Sequence, residues 1–281
     1  MTPTKSYKEF EDSQQPAIKL LQELGYTYLS PEDADNKRGN ITSNVILDEI
    51  LAEQLSKINS FEYKNEKYQF SSVNIQGAIN ALKNIPDEGL IRTNENVYDL
   101  LTLGKSFTES IKGDQKSYTI KYIDWENINN NVFHITEEFT VEGIKEKRRP
   151  DIVLFVNGIP FVIIENKRRD KNSSLDEAIS QHLRNQKKDE GVPRLFHFAQ
   201  ILMAVQPNEV KYGATNTPLK FWSVWKENNE KQTADLLAKE NRLPTTQDRS
   251  IVALCSPNRL MELVYKFIVF DGGDKKIARY Q

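Results

Sequence analysis

Two uninterrupted apolar runs, Asp151-Ile-Val-Leu-Phe-Val156 and Pro160-Phe-Val-Ile-Ile164, constrain this chain more than any other feature. Strands with one wetted face alternate polar and apolar residues; continuous runs of this length suit central strands covered on both faces. Asn157-Gly158 between them is a strong hairpin signal, which predicts antiparallel neighbours.

Register then becomes a test. A two-residue loop pairs position 151 with 164 and sends Glu165 to the opposite face. A shared face for Asp151 and Glu165 needs a bulge or an odd-length loop, and a three-residue loop over Asn157, Gly158 and Ile159 pairs 151 with 165. Glu165 and Lys167, two apart on one strand, share a face in either case.

The rest of the chain supplies layers for such a hairpin. Phe10, Ile18, Leu21 and Leu24 fit one face of a helix closed by Gly25, and helical spacing recurs over residues 45–58 and 73–85. Strands are predicted at 118–124, 132–141, 198–205 and 219–225, and a helix at 174–188 with Leu175, Ile179 and Leu183 inward. Further helices are expected near 233–240 and 257–270, with polar linkers at 226–232 and 244–249. The predicted fold class is α/β, a mixed central sheet flanked by helices. It divides into a domain over residues 1–230, with N-terminal helices, and a helical segment over 231–281.

Composition narrows the function classes. The 281 residues carry 38 Lys+Arg against 40 Asp+Glu, so nucleic-acid binding has to rest on local patches. Two are present, Lys145, Lys147, Arg148, Arg149 and Lys167, Arg168, Arg169, Lys171, and both flank the apolar pair. Cys255 is the sole cysteine, and His134, His182 and His197 lie without ligand spacing, which argues against a zinc or haem site. With no long apolar run, a cytoplasmic protein without a membrane segment is expected. Leu103-Gly104-Lys105-Ser106 imitates half of a phosphate-binding loop, but Asp99 stands where the motif needs glycine, so ATP binding within this chain is rejected.

Pro150-Asp151, followed after thirteen residues by Glu165-Asn166-Lys167, offers paired carboxylates beside a lysine. Magnesium takes oxygen ligands, and phosphodiester hydrolysis needs a polarised phosphate with positive charge nearby. The plain alternative is a set of ordinary strand-end charges, although charge after a buried apolar strand is costly unless compensated.

Asn130-Asn-Val-Phe133, Arg149-Pro-Asp-Ile-Val-Leu-Phe-Val-Asn-Gly-Ile-Pro160 and Phe161-Val-Ile-Ile-Glu-Asn-Lys167 together resemble the N-terminal nuclease region of type I restriction endonuclease R subunits, a PD-(D/E)xK nuclease. The likeness extends from Glu23-Leu-Gly-Tyr26 to Lys276-Ile-Ala-Arg-Tyr280. It implies an endonuclease cutting double-stranded DNA, with Asp151, Glu165 and Lys167 catalytic and Mg²⁺ held by Asp151, Glu165 and the main-chain carbonyl of Asn166. Related nucleases carry a Q-x-x-x-Y motif; here Gln181 supplies the glutamine and Asn185 replaces the tyrosine. Candidate DNA contacts are Arg149, Arg168, Arg169, Gln181 and Arg184, and Glu11 is a further acidic candidate near the metal. The resemblance also implies an ATP-driven motor following this region in the full-length subunit, and modification and specificity subunits as partners. A stand-alone repair or phage nuclease, and a non-catalytic DNA-binding or assembly module, are the competing readings.

Overall fold

The computed structural model describes residues 13–168, 174–227 and 229–278. Glu11, Arg169 and Lys171 lie outside the described residues.

Six strands form the central sheet, and their spatial order follows the chain: β1 (Thr27–Leu29), β2 (Phe133–Glu137), β3 (Ile152–Val156), β4 (Ile159–Asn166), β5 (Ile201–Gln206) and β6 (Glu209–Gly213). β1 runs parallel to β2 and β4 parallel to β5; the other neighbours are antiparallel. This is the mixed sheet flanked by helices that the sequence predicts. Every residue of β3 and β4 is buried, and each aliphatic side chain so covered contributes roughly 1.5–3 kcal/mol relative to exposure.

The hairpin closes through a two-residue loop, since Val156 pairs with Ile159. Asn157 (φ 50°) and Gly158 (φ 81°) both take left-handed conformations, as this turn requires. The loop is also locked in the core. Asn157 Oδ1 accepts from Val132 N at 2.9 Å, and Leu47 N donates to Gly158 O at 2.9 Å.

The three-residue loop is therefore not what sets the register. One extra residue, Phe161, is inserted on β4: Pro160 pairs with Phe155, whereas Val162 pairs with Leu154. The bulged residue is not left idle, because its carbonyl accepts from Gln200 N at 2.7 Å. Beyond it Ile164 faces Ile152, and one further step sets Glu165 opposite Asp151.

Three helices matter for the site: α1 (Gln15–Glu23), α2 (Ser174–Asn185) and α3 (Thr246–Cys255). α2 crosses over the parallel pair β4–β5, burying Leu175 and Ile179. Helices Asp48–Ile58 and Ser72–Lys83 match the predicted periodicity. Residues beyond 230 join the same core, with Ile251, Leu254, Leu260 and Val264 fully or almost fully buried.

Several predicted elements are corrected. Residues 219–225 form a short 3-10 turn, Leu219–Phe221, plus one isolated bridge between Tyr212 and Ser223. Pro218 and the Trp222 indole, which donates to Thr217 O at 2.9 Å, fold that segment on itself. The strand beside β5 is instead β6. The strand expected from residue 198 begins at Ile201, because Pro193–Phe198 is helical. The strand at 132–141 is interrupted where Glu138 turns left-handed, at φ 53°. The strand predicted at 118–124 stops at Ile120 and pairs in a hairpin with Lys105–Ile111. The expected linker at 244–249 contains the start of α3, and the last predicted helix ends at Phe267 before a hairpin of Ile268–Asp271 and Asp274–Ile277. Gly104 caps helix Leu90–Leu103 and leads into a strand, the reverse of the strand–loop–helix order of a phosphate-binding loop.

Candidate active site

The bulge and the β4 pleat bring the predicted residues to one end of the central hairpin. Asp151 is 1% exposed and Glu165 is fully buried. Asp151 Oδ2 accepts from the main-chain N–H of Asn166 at 2.5 Å, tying the start of β3 to the end of β4. Its own carbonyl accepts from Glu138 N at 3.1 Å and from Gln14 Nε2 at 3.2 Å. Gln14 Nε2 also donates to Glu137 Oε2 at 3.0 Å, and Tyr28 OH donates to Glu137 Oε1 at 2.8 Å.

α2 completes the other side. Gln181 Nε2 donates to Glu165 Oε2 at 2.7 Å, and Gln181 Oε1 accepts from Lys167 Nζ at 3.1 Å. One amide thus satisfies a carboxylate and a lysine together, a use of both its ends that neither a carboxylate nor an amine could match. Lys167 N donates to Val205 O at 2.7 Å, so strand pairing continues to the edge of the site. Gln181 is thereby placed among the acidic and basic groups, and Arg184, three residues on, is exposed.

The first basic patch is internally compensated. Lys145 lies 3.7 Å from Asp189, Lys147 lies 3.5 Å from Glu142, and Arg148 lies 4.0 Å from Glu146. Arg149 pairs with Glu138, beside Asp151. Arg168 is half-buried next to Lys167.

The histidines and the cysteine serve structure elsewhere. His182 donates from Nε2 to Met203 O at 3.0 Å and stacks on Trp222, and burial pulls its pKa down to about 4. Burial does the same to His197, also to about 4, and lowers that of His134. Cys255 is buried in α3, and burial pushes its thiol well up. Among the described residues no cluster of three or more His, Cys, Asp or Glu side chains could hold a metal ion.

Ser13, Gln14, Glu138 and Gln247 belong to this site, and the sequence reading missed them. Three of them have no local signal. Gln247 had one: Thr245-Thr-Gln-Asp248 is a capping-box pattern that announces a helix start, and both reciprocal hydrogen bonds are formed.

Fold and site are those of an α/β protein that gathers carboxylates, a lysine and an orienting amide at one end of a buried hairpin. The family model described as type I restriction enzyme R protein N terminus matches residues 6–221, and the chain belongs to that family. It is 28% identical over 285 residues to the putative type I restriction enzyme MjaIXP endonuclease subunit of Methanocaldococcus jannaschii, covering 94% of this chain and 26% of that protein. It is 33% identical over 242 residues to the MjaVIIIP subunit of the same organism, covering 81% and 21%. To the type I restriction enzyme HindI endonuclease subunit of Haemophilus influenzae it is 26% identical over 280 residues, covering 96% and 25%. The chain spans about a quarter of the length of these relatives. Among the described residues no helix is long and apolar enough to cross a membrane.

Proposed function

We propose that this chain is the Mg²⁺-dependent PD-(D/E)xK nuclease domain of a type I R subunit, hydrolysing phosphodiester bonds of double-stranded DNA. The observation that carries the reading is the bulge at Phe161, which pairs Ile164 with Ile152, so that Asp151, held by the Asn166 N–H, meets the strand end whose Glu165 and Lys167 share Gln181. A buried hairpin has no structural need for two carboxylates on one face, where each costs desolvation.

The donors fit a hard divalent cation. Asp151, Glu165 and the Asn166 carbonyl are all oxygen ligands, and magnesium takes its remaining positions from water and substrate phosphate. A bound Mg²⁺ supplies Lewis-acid polarisation of the phosphate and a more acidic water. The chain's own residues do the rest. The Asn166 N–H fixes the Asp151 carboxylate, and Gln181 fixes that of Glu165. Lys167, steadied by the same glutamine, holds positive charge beside the phosphate and orients the attacking water. Buried carboxylates and a fixed amide cost little reorganisation when the reaction charge develops.

Sequence choice and ATP-driven translocation belong, in this reading, to the rest of the R subunit and to its modification and specificity partners in the cytoplasm. Arg149, Arg168 and Arg184 supply phosphate contacts around the site.

Calorimetric titration of Mg²⁺ into the unaltered chain, Asp151→Asn and Glu165→Gln tests the reading. One site in the unaltered chain, lost in both folded variants, supports it. Binding untouched by either substitution removes the paired-carboxylate centre and with it the nuclease assignment.

A further inference from the structure

One of the residues that hold the site comes from outside the stretch matched by the family model, residues 6–221. Asn166 Nδ2 donates to Ser13 Oγ at 2.8 Å, and Ser13 Oγ donates to Gln247 Oε1 at 2.7 Å. Gln247 Nε2 then donates back to the Ser13 carbonyl at 2.8 Å. Asn166 and Ser13 are fully buried and Gln247 is 2% exposed. The donors run in one direction from Asn166 to Gln247, and such chains strengthen one another in a low-dielectric interior.

Gln247 is itself rigidly mounted. It is the second residue of α3, inside the capping box of Thr245 and Asp248. Arg242 donates twice to Asp248, at 2.6 and 3.0 Å. Burial would raise the Asp248 carboxyl, but the hydrogen bonds from Arg242 and Thr245 prevail and hold it below its ordinary range. At the far end of α3, Tyr26 OH donates to Cys255 O at 2.7 Å. The main chain of Gln247 reaches Pro207 O, in the turn joining β5 and β6, at 3.3 Å.

What this mounting holds is the end of β4. Alternation puts the Asn166 side chain on the face opposite Glu165 and Lys167. Gripped from that face, Asn166 cannot rotate without carrying both neighbours, and its N–H is the donor on Asp151.

We propose that Gln247, acting through Ser13, is a positioning residue of the candidate site: it fixes Asn166, and thereby the strand end that presents Glu165, Lys167 and the amide on Asp151. The inference rests on the nuclease reading above, and it places part of that site's support in the segment after residue 230.

Ser13→Ala, Gln247→Leu and the double variant, made in the 281-residue chain, test it with two readouts. The first is amide hydrogen exchange at Asn166 in metal-free protein, compared with Ile163 in the middle of the same strand. The second is Mg²⁺ affinity by calorimetry. Exchange at Asn166 should accelerate about tenfold or more with Ile163 unchanged, and affinity should fall about tenfold, as for supports of metal ligands elsewhere. The double variant should be no worse than the weaker single, because the two residues act in series. Ser13→Ala removes one hydroxyl only and keeps the test available if Gln247→Leu does not fold. Equal acceleration at Ile163, or Mg²⁺ affinity within about twofold of the unaltered chain in folded variants, overturns the inference and leaves the nuclease reading standing. An unaltered chain that binds no Mg²⁺ overturns that reading, and the inference falls with it.

Discussion

The main-chain N–H of Asn166 donates to Oδ2 of Asp151 at 2.5 Å, so the last residue of β4, between Glu165 and Lys167, orients the aspartate that precedes β3. Strand pairing and carboxylate placement are therefore one device. The substitutions that probe chemistry should then leave the fold alone. Asp151→Asn, Glu165→Gln and Lys167→Met each keep the side-chain outline, and each is expected to lower Mg²⁺-dependent cleavage by about a hundredfold or more. Cleavage of plasmid DNA, read beside the thermal midpoint of each variant, checks this. Activity retained by Lys167→Met would remove the lysine from the reaction.

Gln181 joins Glu165 to Lys167 with the two ends of one amide, so its loss should relax both. Gln181→Leu is expected to cost about 1.5–3 kcal/mol of stability, the worth of a hydrogen bond to a charged group, and roughly tenfold or more in cleavage rate. Gln181→Glu should be worse, because it sets a third carboxylate against Glu165. Single-turnover rates with the enzyme in saturating excess over DNA separate this effect from weakened binding.

Acid should destabilise the chain through its buried histidines. His182 and His197 both fall to about 4 from an ordinary value of 6.5 because burial disfavours their charged forms. A depressed folded pKa gives stability that is complete above the unfolded value and is lost as pH falls toward the folded one. Between about pH 6.5 and 4 each histidine should therefore cost roughly 1.4 kcal/mol per pH unit. Urea unfolding across that window checks the slope, and His197→Gln should make it shallower.

Gly158 occupies a position closed to side chains. Its φ of +81° is left-handed, and an added Cβ would stand 2.7 Å from Leu47 O and 3.1 Å from Leu51 N. Gly158→Ala is expected to destabilise the chain by about 2 kcal/mol or more, from the strained backbone and the displaced helix start. Gly25 is left-handed too, at φ +102°, with nothing within 4 Å of an added Cβ. Gly25→Ala should therefore cost only the backbone term, about 1 kcal/mol. Chemical denaturation of the two variants side by side checks the difference.

The hairpin shows how far the sequence could be read. Two apolar runs around Asn157-Gly158 dictate adjacent, doubly covered, antiparallel strands, and the need for an odd offset between Asp151 and Glu165 followed from alternation alone. Where that offset would arise did not. A two-residue turn with a bulge and a three-residue turn give the same pairing at residue 151; the structure takes the bulge, and the N–H of Gln200 captures the carbonyl of Phe161. The helical face of Gln181 was legible as well, but its contact with Glu165 and Lys167 depends on how α2 lies across β4 and β5.

Local pattern thus determined the central hairpin, the helices with long apolar stripes and the acidic and basic groups at the strand ends, because periodicity and turn chemistry act within a few residues. It misjudged 219–225, where the Trp222 indole folds the segment back onto Thr217, and passed over the capping box that starts α3. Tertiary structure alone decided that Ser13 and Gln247, 234 residues apart, meet behind Asn166. Hydrogen bonds between buried groups are set by the packing of whole elements, and no spacing in the chain encodes them.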